Sequence, residues 1–373
     1  MSHEFVQFEL ERLMSIWENR VDYNLSESGV HPLSIKELVE DPQFLDELLS
    51  TPLNYPQANG LVELRQQVAS LYPGATPDNV LITTGCAQAN FTSLLTIMAP
   101  GDEIVVMLPN YMQIWGVAQN FAYQVKTFSL KEELDWGIDI DELNAAVSSK
   151  TKLIAIVNPN NPTGHIMTTN EMDAVVTVAQ RSGAWLLCDE VYAGAERVTE
   201  QVTPSFWGRY ERVLATGGMS KAYGLPGLRI GWVIAPADTI EKIWAWQDYV
   251  TISTTMLANK LATYALSSQV RPRLLQRTRE YIRNGYRNFE LWRAKHADLF
   301  SLVPPQAAAI AFVRYHLEIN SMELVKRLIQ EQAFILPGDV FGLDHFLRIS
   351  YGLPADYLNE GLNRLYKVMS QSG

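Results

Sequence analysis

The chain has 373 residues, of which 47% are hydrophobic and 19% charged, and its formal net charge is −11 at pH 7. This length suits about two domains, and the composition is that of an ordinary globular protein, which excludes a disordered or fibrous chain. The negative charge disfavours nucleic acid as a partner, because sequence-independent binding depends on clustered lysine and arginine.

The N-terminus and the cysteine content bear on location. The opening MSHEFVQFELERL lacks a basic stretch followed by an apolar one, so no signal peptide is predicted. One of the longer apolar runs, residues 307–313, has seven residues, far fewer than the ~18–20 of a membrane-spanning helix. Only Cys86 and Cys188 occur, which excludes a disulfide-dense scaffold and favours a reducing compartment. We therefore expect a cytoplasmic protein with no membrane partner.

Hydrophobic periodicity predicts the elements of the first two thirds of the chain. An amphipathic helix is expected over residues 4–20, and from residue 79 to about residue 233 short apolar runs alternate with helical stretches. Continuous apolar strands joined by helices are typical of a mainly parallel sheet buried on both faces. The runs are NVLITTG, DEIVVMLP, TKLIAIVN, AWLLCDE, RVLATGG and RIGWVIA.

Three helices are predicted between these runs, over residues 87–98, 141–147 and 171–181. Asp139 or Asp141 can cap the second, and Thr168 or Thr169 can cap the third. Strands that alternate with capped helices predict an α/β domain.

After residue 239 the pattern becomes helical, and a short region of mixed strands and helices follows. The helical segments are IEKIWAWQDYV, ANKLATYALSS and RPRLLQRTREYIRNGYRNFELWRAKH, and the mixed segments are AAIAFVRY, SMELVKRLIQEQ, HFLRISYG and YLNEGLNRLYKVM. The predicted fold class is therefore α/β, with two domains. A large domain over residues 45–265 has a mainly parallel sheet of the seven-stranded type between helices, and residues 1–44 and 266–373 form a smaller α+β domain.

The segment SKAYGLPGLRIGW, residues 220–232, gives the strongest indication of chemistry. Lys221 follows a buried-strand signal, and Arg229 lies eight positions further on. A lysine that forms a Schiff base needs a desolvated pocket, because desolvation disfavours the ammonium form and frees the amine as a nucleophile. Ser220 and Arg229 can both reach a phosphate, and the glycines of the segment allow close backbone approach. Taken alone, a lysine beside glycines more often belongs to a surface turn.

Three other segments place polar groups at strand ends. VNPNNPTG, residues 157–164, lets Asn161 donate into a crevice, although this motif alone can equally be a loop. CDEVY, residues 188–192, also ends a strand, and ligands of open α/β sheets bind outside those carboxyl ends. Asp189 alone would be interpreted as a helix or turn cap. TTGCAQAN, residues 83–90, is a strand, a glycine and a helix start, whose free N–H groups favour a phosphate.

Taken in this order, the segments resemble the fold-type I pyridoxal-phosphate enzymes of the class I/II aminotransferase family, from SESGV near the N-terminus to LRISYG near the C-terminus. The resemblance implies pyridoxal 5′-phosphate as cofactor and transfer of an amino group from an amino acid to a 2-oxo acid. It implies that Lys221 carries the cofactor as a Schiff base and then moves the proton at the substrate α-carbon. Asp189 would pair with the protonated ring nitrogen, which keeps the ring an electron sink.

The same resemblance implies further contacts with the cofactor. Tyr192 and Asn161 would hydrogen-bond the ring hydroxyl oxygen, with Tyr192 among the catalytic residues. Tyr111 would stack on the ring, and a core aromatic is the alternative at that position. The residues implied around the phosphate are Gly85, Cys86, Ala87, Ser220 and Arg229.

Substrate and partner contacts follow from the resemblance as well. Arg348 matches the arginine that clamps the substrate α-carboxylate, and Gly29 matches the glycine that contacts the same carboxylate beside Asn161. Tyr55 resembles the tyrosine that reaches the phosphate of the neighbouring subunit. A homodimer with shared active sites is therefore expected, and no metal site is predicted.

Departures from the family pattern concern the substrate. Ala307 and Ala308 stand where the family often has glycines, which predicts an altered side-chain pocket. Residues 251–260, near the second arginine of dicarboxylate-specific members, contain no arginine, so aspartate and glutamate are not favoured donors. Glu27 lies near the expected substrate entrance and suits a cationic substrate side chain, with a solvated loop glutamate as the alternative.

Other outcomes on the same site stay open. The cofactor motifs do not separate transamination from β-elimination, or from cyclisation or oxidation of an amino acid. A regulatory protein that binds the cofactor without catalysis is disfavoured, because no basic helix-turn-helix segment precedes residue 40.

Overall fold

The computed structural model of the chain describes residues 5–371. The predicted helix over residues 4–20 begins outside this range, and its described part starts at Glu9. Across residues 5–371, none of the helices combines the length and apolar composition that crossing a bilayer requires. The helices are α1 Glu9–Trp17, α2 Ile35–Leu38, α3 Pro42–Leu49, α4 Val62–Ala69, α5 Gly85–Ile97, α6 Gln113–Asn120, α7 Ile140–Ala146, α8 Thr169–Ser182, α9 Ala237–Val250, α10 Met256–Leu266, α11 Arg271–Ala294, α12 Ser321–Gln330 and α13 Ala355–Ser370.

The strands form three sheets. They are β1 Tyr23–Asn24, β2 Val80–Thr83, β3 Glu103–Leu108, β4 Gln124–Lys131, β5 Gly137–Ile138, β6 Thr151–Val157, β7 Trp185–Asp189, β8 Val213–Gly218, β9 Gly231–Ile234, β10 Phe300–Ser301, β11 Ile310–Tyr315, β12 Ala333–Phe334, β13 Leu336–Pro337 and β14 Phe346–Ser350.

The central sheet has the strand order β2-β9-β8-β7-β6-β3-β4-β5. Strands β8, β7, β6, β3 and β4 pair in parallel. Strand β9 runs antiparallel to β2 and β8, and the two-residue β5 runs antiparallel to β4. Seven strands remain when β5 is set aside, so the prediction of a mainly parallel α/β sheet of that type is confirmed.

Helices cover both faces of this sheet. Alternate residues of each buried strand point to opposite faces: Ile154 and Leu186 join the core that contains Val175 of α8, whereas Ala155 and Leu187 join the core that contains Leu94 of α5. Burial on both faces explains why these strands are continuous apolar runs in the sequence.

Strand β4 is the one long strand of this sheet that the apolar runs did not predict. It lies near the sheet edge, and its residues 124–127 are exposed or half-buried while Phe128 and Leu130 are buried. A strand with this mixture of polar and apolar residues has no continuous apolar signal. Its partner β3 is almost entirely buried.

For each of the two helices with alternative predicted caps, the structure shows which residue is the N-cap. Asp139, rather than Asp141, caps α7 by accepting a hydrogen bond from the Glu142 N–H at 3.0 Å. Thr168, rather than Thr169, caps α8 in a reciprocal pair with Glu171. Side-chain caps of this kind satisfy N–H groups that the first turn leaves without partners.

Glu171 also ties α8 to neighbouring segments, and this predicts an acid-sensitive contribution to stability. Its carboxylate accepts from the Ile138 N–H at 2.9 Å and lies 3.2 Å from His165 Nε2. Burial raises the pKa of Glu171, but the hydrogen bonds, with that from His165 the largest, outweigh burial and lower the pKa from 4.5 to about 2. Because the folded pKa lies below the unfolded one, the stabilisation is complete above the unfolded pKa and is lost as pH falls toward 2.

We therefore expect Glu171→Gln to lower the free energy of unfolding by about 2 kcal/mol at pH 7 and by clearly less at pH 3. Urea unfolding at both pH values measures this, with Glu211→Gln at an exposed position as the control. An equal loss at the two pH values would contradict the linkage.

The C-terminal elements form the antiparallel sheet β10-β11-β14-β13. The N-terminal segment joins them, because β1 pairs in parallel with β12, placing Tyr23 opposite Ala333 and Asn24 opposite Phe334. Helix α1 packs against residues 338–341. These contacts agree with a smaller α+β unit built from both ends of the chain, and its boundaries at residues 45 and 265 stay a prediction.

Candidate active site

A cavity of about 450 Å³ lies at the carboxyl ends of β6 and β7 and beside the first turn of α5. Helix α1 closes another side, where Leu10, Glu11 and Met14 line it. Most of the residues predicted to carry chemistry line this one space: Glu27, Cys86, Ala87, Tyr111, Asn161, Asp189, Tyr192, Ser220, Lys221, Arg229 and Arg348.

Of the remaining predicted residues, the structure places two glycines against the cavity. A Cβ atom on Gly29 would lie 3.3 Å from the Ser220 carbonyl oxygen and 3.7 Å from Cδ of Lys221. A Cβ on Gly85 would lie 2.5 Å from Nη2 of Arg229. Tyr55 does not line the cavity, and its side chain is 79% exposed. The structure therefore brings every predicted residue except Tyr55 to one place.

The first turn of α5 offers unpaired donors. Its N-cap residue, Thr84, makes no capping side-chain hydrogen bond, and Gly85 has a φ of +78°, in the left-handed region that favours glycine. The Arg229 guanidinium lies beside this turn because Gly85 has no side chain. Backbone N–H groups at a helix N-terminus and a guanidinium together form an anion site.

Asp189 ends β7 at the base of the cavity. Its carboxylate accepts hydrogen bonds from Asn90 Nδ2 at 2.8 Å and the Val191 N–H at 3.1 Å, and Cys86 Sγ lies 3.5 Å away. Burial raises the pKa of Asp189, and these bonds together with the charge of Lys221 offset the increase only in part. A buried carboxylate of this kind is stabilised in its ionised form by a cation in the cavity.

Asn90 is a site residue that the sequence interpretation did not identify. It is buried in α5, where its Oδ1 accepts from Thr216 Oγ1 at 2.7 Å while its Nδ2 donates to Asp189. The hydrogen-bonded pair therefore fixes the orientation of the Asp189 carboxylate. The available signal was an asparagine in the interior of a predicted helix, where its helix propensity is poor.

Lys221 lies in the loop after β8 and is half-buried. Among residues 5–371 its amine has no hydrogen-bond or salt-bridge partner, although its stem contacts Gly29. The expectation of a desolvated lysine is thus met in part, since one side of the residue opens to the cavity. An amine without a protein partner is positioned to react with a ligand.

Arg348 is buried in β14, with 1% of its surface exposed. Its Nη1 donates to Asn161 Oδ1 at 2.9 Å, its Nη2 donates to the Ser26 carbonyl, and its Nε has no partner within the described chain. Burial lowers the pKa of Arg348, with the charges of Tyr192, Glu27 and Glu11 acting in the opposite direction. A buried guanidinium that no carboxylate neutralises is costly unless an anion binds it.

Tyr111 connects the cavity to α1. Its hydroxyl donates to the Glu11 carboxylate, and its ring meets Phe8 edge to face with centroids 5.1 Å apart. Burial, and then the Glu11 charge, raise the pKa of Tyr111 well above its ordinary value, so the phenol stays protonated. The sequence interpretation did not identify Glu11, because its place at the site depends on where α1 packs.

Ala307 and Ala308 lie outside the cavity wall. Ala308 is buried with a φ of +68°, and its carbonyl oxygen accepts from the Tyr351 hydroxyl at 2.7 Å. Ala308 thus takes a backbone conformation that favours glycine. It packs beside Tyr192 in one small cluster and does not itself line the cavity.

An amine, a buried carboxylate and a buried guanidinium around one cavity form a candidate enzyme site that suits a cofactor and a carboxylate ligand. The family model described as aminotransferase class I and II matches residues 32–365. Capreomycidine synthase of Streptomyces vinaceus is 30% identical over 349 residues, which cover 91% of this chain and 87% of that protein. An aspartate aminotransferase of Streptomyces avermitilis is 28% identical over 338 residues, covering 85% and 82%. The crystal structure of a PLP-dependent aminotransferase from Streptococcus suis 89-1591 has a TM-score of 0.93 and 27% identity, with 99% of each chain covered.

The chain therefore belongs to the class I and II aminotransferase family. It is an enzyme that uses pyridoxal phosphate to move an amino group from an amino acid to a 2-oxo acid. The resemblance stated from the sequence, its cofactor and its reaction class are confirmed.

Proposed function

We propose that the cavity is the transamination site, with Lys221 as the cofactor attachment and Arg348 as the carboxylate clamp. One observation carries this proposal: the Lys221 amine, the Asp189 carboxylate and the Arg348 guanidinium line one cavity, and no carboxylate of residues 5–371 forms a salt bridge with Arg348. The three groups match the three demands of the reaction, which are covalent attachment, charge stabilisation and substrate orientation.

The phosphate end of the cofactor fits the first turn of α5. The N–H groups of Cys86 and Ala87 lack a capping side chain, Arg229 lies beside Gly85, and Ser220 lines the same cavity. A side chain at position 85 would displace the guanidinium, so the space beside this turn is kept by the glycine. This arrangement suits a dianionic phosphate.

The ring end fits the base of the cavity. Asp189, held by Asn90, would face the protonated ring nitrogen, while Tyr192 and Asn161 would hydrogen-bond the ring oxygen and Tyr111 would lie on the ring face. When bound, the cofactor supplies an electron sink for the electron pair left at the substrate α-carbon. The Asp189 carboxylate keeps the ring nitrogen protonated and thereby preserves that sink.

The substrate would bind between Arg348 and Lys221. Arg348 receives the α-carboxylate with its free Nε, and Asn161 keeps the guanidinium in place. Gly29 leaves room beside the Lys221 stem, because any side chain there would press on the Ser220 carbonyl. Lys221 would then act as the base that takes the proton from the substrate α-carbon and as the acid that gives it to the carbon on the opposite side of the transferring nitrogen.

A screen of amino acids against the purified holoenzyme tests the function. A true donor should bleach the visible absorbance of the bound cofactor, and a 2-oxo acid added afterwards should restore it. If no amino acid bleaches the absorbance, transamination at this site is refuted.

Cyclisation or elimination is the second candidate, because one relative at 30% identity is named a synthase rather than an aminotransferase. Mass spectrometry of the products separates the two candidates. Elimination releases ammonia and a 2-oxo acid without an acceptor, ring closure gives a cyclic amino acid, and transamination needs the acceptor.

A homodimer with shared sites is part of the proposal. Leu49, Leu53 and Tyr55 follow one another on one segment and are 78%, 82% and 79% exposed, and Tyr249 is 88% exposed. Exposed apolar side chains of this size indicate an interface, and Tyr55 would reach the phosphate site of the neighbouring subunit. Sedimentation of the holoenzyme should give twice the mass of one chain, and a fully active monomer would contradict the shared site.

We also propose a cytoplasmic location. Cys86 and Cys188 are both free thiols, and Cys188 is fully buried in β7. Free thiols of this kind suit a reducing compartment.

A further inference from the structure

Three glutamates of the N-terminal segment face the active-site cavity. Glu11 lies in α1, and Glu18, seven residues further on, is the residue that directly follows its last turn and still has helical dihedral angles; Met14 lies between them. Residues at this spacing lie two helical turns apart on the same side. Glu27 lines the same cavity from the segment that leads to Gly29. The carboxylates therefore come from two separate pieces of chain and meet at one wall.

No cation of the described chain neutralises this wall. Among residues 5–371, Glu11, Glu18 and Glu27 form no salt bridge. Glu11 accepts a hydrogen bond from Tyr111, and Glu18 receives only a long one from the Asn19 amide at 3.4 Å. Burial raises the pKa of Glu18, and the charges of Glu27 and Glu11 raise it further, so the three carboxylates repel one another. Such an arrangement is unfavourable unless a cation enters it.

The cationic side chains that line the cavity are directed to groups other than these three carboxylates. In the function proposed above, Lys221 and Arg229 face the cofactor, and Arg348 faces the substrate carboxylate with a buried Nε that no atom of the described chain satisfies. The charges of Glu27 and Glu11 act on Arg348, so the acidic wall lies within electrostatic range of the carboxylate clamp. A substrate held by Arg348 thus brings its side chain into a negative field.

We propose that the enzyme selects amino acids whose side chain carries a positive charge, and that Glu18 and Glu27 determine this selection. The proposal rests on the transamination function proposed above. A guanidinium or ammonium group would bind between the wall and the cofactor, while the α-carboxylate stays on Arg348. The same wall repels the second carboxylate of aspartate or glutamate, which agrees with the absence of arginine from residues 251–260.

Binding of an unreactive pair of ligands tests this without turnover. The ligand 5-guanidinopentanoate has the carboxylate and side chain of arginine but no α-amino group, and 5-ureidopentanoate is its neutral counterpart. We expect calorimetry on the holoenzyme to show about tenfold tighter binding of the cationic ligand. Glu18→Gln and Glu27→Gln should each reduce that ratio about fivefold, since each carboxylate is only partly buried. Glu9→Gln, on an exposed residue of the same helix that does not line this cavity, should leave the ratio unchanged.

Kinetics on matched substrates extend the test. The ratio of kcat/KM for arginine over citrulline, and for lysine over norleucine, should exceed about tenfold and should fall in Glu18→Gln and Glu27→Gln. Equal use of charged and neutral partners by the unmodified enzyme would overturn the proposal, as would a preference for dicarboxylates or an equal change in Glu9→Gln. A donor that bleaches the cofactor without any cationic preference refutes only the selection, whereas no bleaching by any amino acid refutes the transamination function itself.

Discussion

Lys221→Ala is expected to lower turnover by at least about 10⁴-fold and to remove the visible absorbance of the covalently bound cofactor. The Lys221 amine has no other partner among the described residues and faces Asp189 and Arg348 across the cavity. The variant therefore loses both the covalent attachment and the group that moves the α-proton. Initial rates with a donor identified by the screen, together with the absorption spectrum, measure the two losses separately.

The controls separate lost chemistry from lost folding. Lys242→Ala removes an exposed lysine of α9 and should change neither the rate nor the spectrum. Added methylamine should restore part of the turnover of Lys221→Ala, because a small amine can take over the proton transfer in the cavity that the alanine leaves. An unchanged spectrum with unchanged turnover in Lys221→Ala would remove the assignment.

The sheet was predictable wherever its strands are buried on both faces. Val105 and Leu214 are fully buried, and the runs that contain them were identified from apolar continuity alone. Lys126 belongs to β4 as firmly as Val105 belongs to β3, and the two are register partners. The apolar runs did not predict β4, because a strand near the sheet edge keeps polar residues on the side that faces water.

The grouping of the candidate site residues at one cavity was predictable for a different reason. Asp189 is the last residue of β7 and Asn161 lies in the loop after β6, and parallel strands present their carboxyl ends at one edge of the sheet. Glu11 and Glu18 have no such marker, because only the packing of α1 against residues 338–341 and Tyr111 brings them to the cavity. The sequence marks Asn90 only as a polar residue within a predicted helix, because its role depends on its hydrogen bond to the Asp189 carboxylate.

Asp189→Asn is expected to lower kcat by about 10²–10³-fold, because an asparagine cannot carry the charge that stabilises a protonated ring nitrogen. The replacement has nearly the same shape, but its single oxygen can accept only one of the two hydrogen bonds, which Asn90 donates to Oδ2 and the Val191 N–H donates to Oδ1. Its amide would then turn an N–H group toward the ring nitrogen and favour the unprotonated ring. Single-turnover kinetics measure the chemical step directly.

The pattern of kinetic constants distinguishes this electrostatic role from a structural one. The loss in Asp189→Asn should lie in kcat, while KM changes little, because Arg348 continues to bind the substrate carboxylate. Asp189→Glu keeps the charge and should recover part of the rate, whereas Asp238→Asn, at an exposed position on α9, should have no effect. Burial raises the pKa of Asp189, so the charge is easiest to lose at low pH, and the acid limb of kcat/KM should flatten in Asp189→Asn. If kcat of Asp189→Asn stays within threefold of that of the unmodified enzyme, the Asp189 carboxylate has a structural role only.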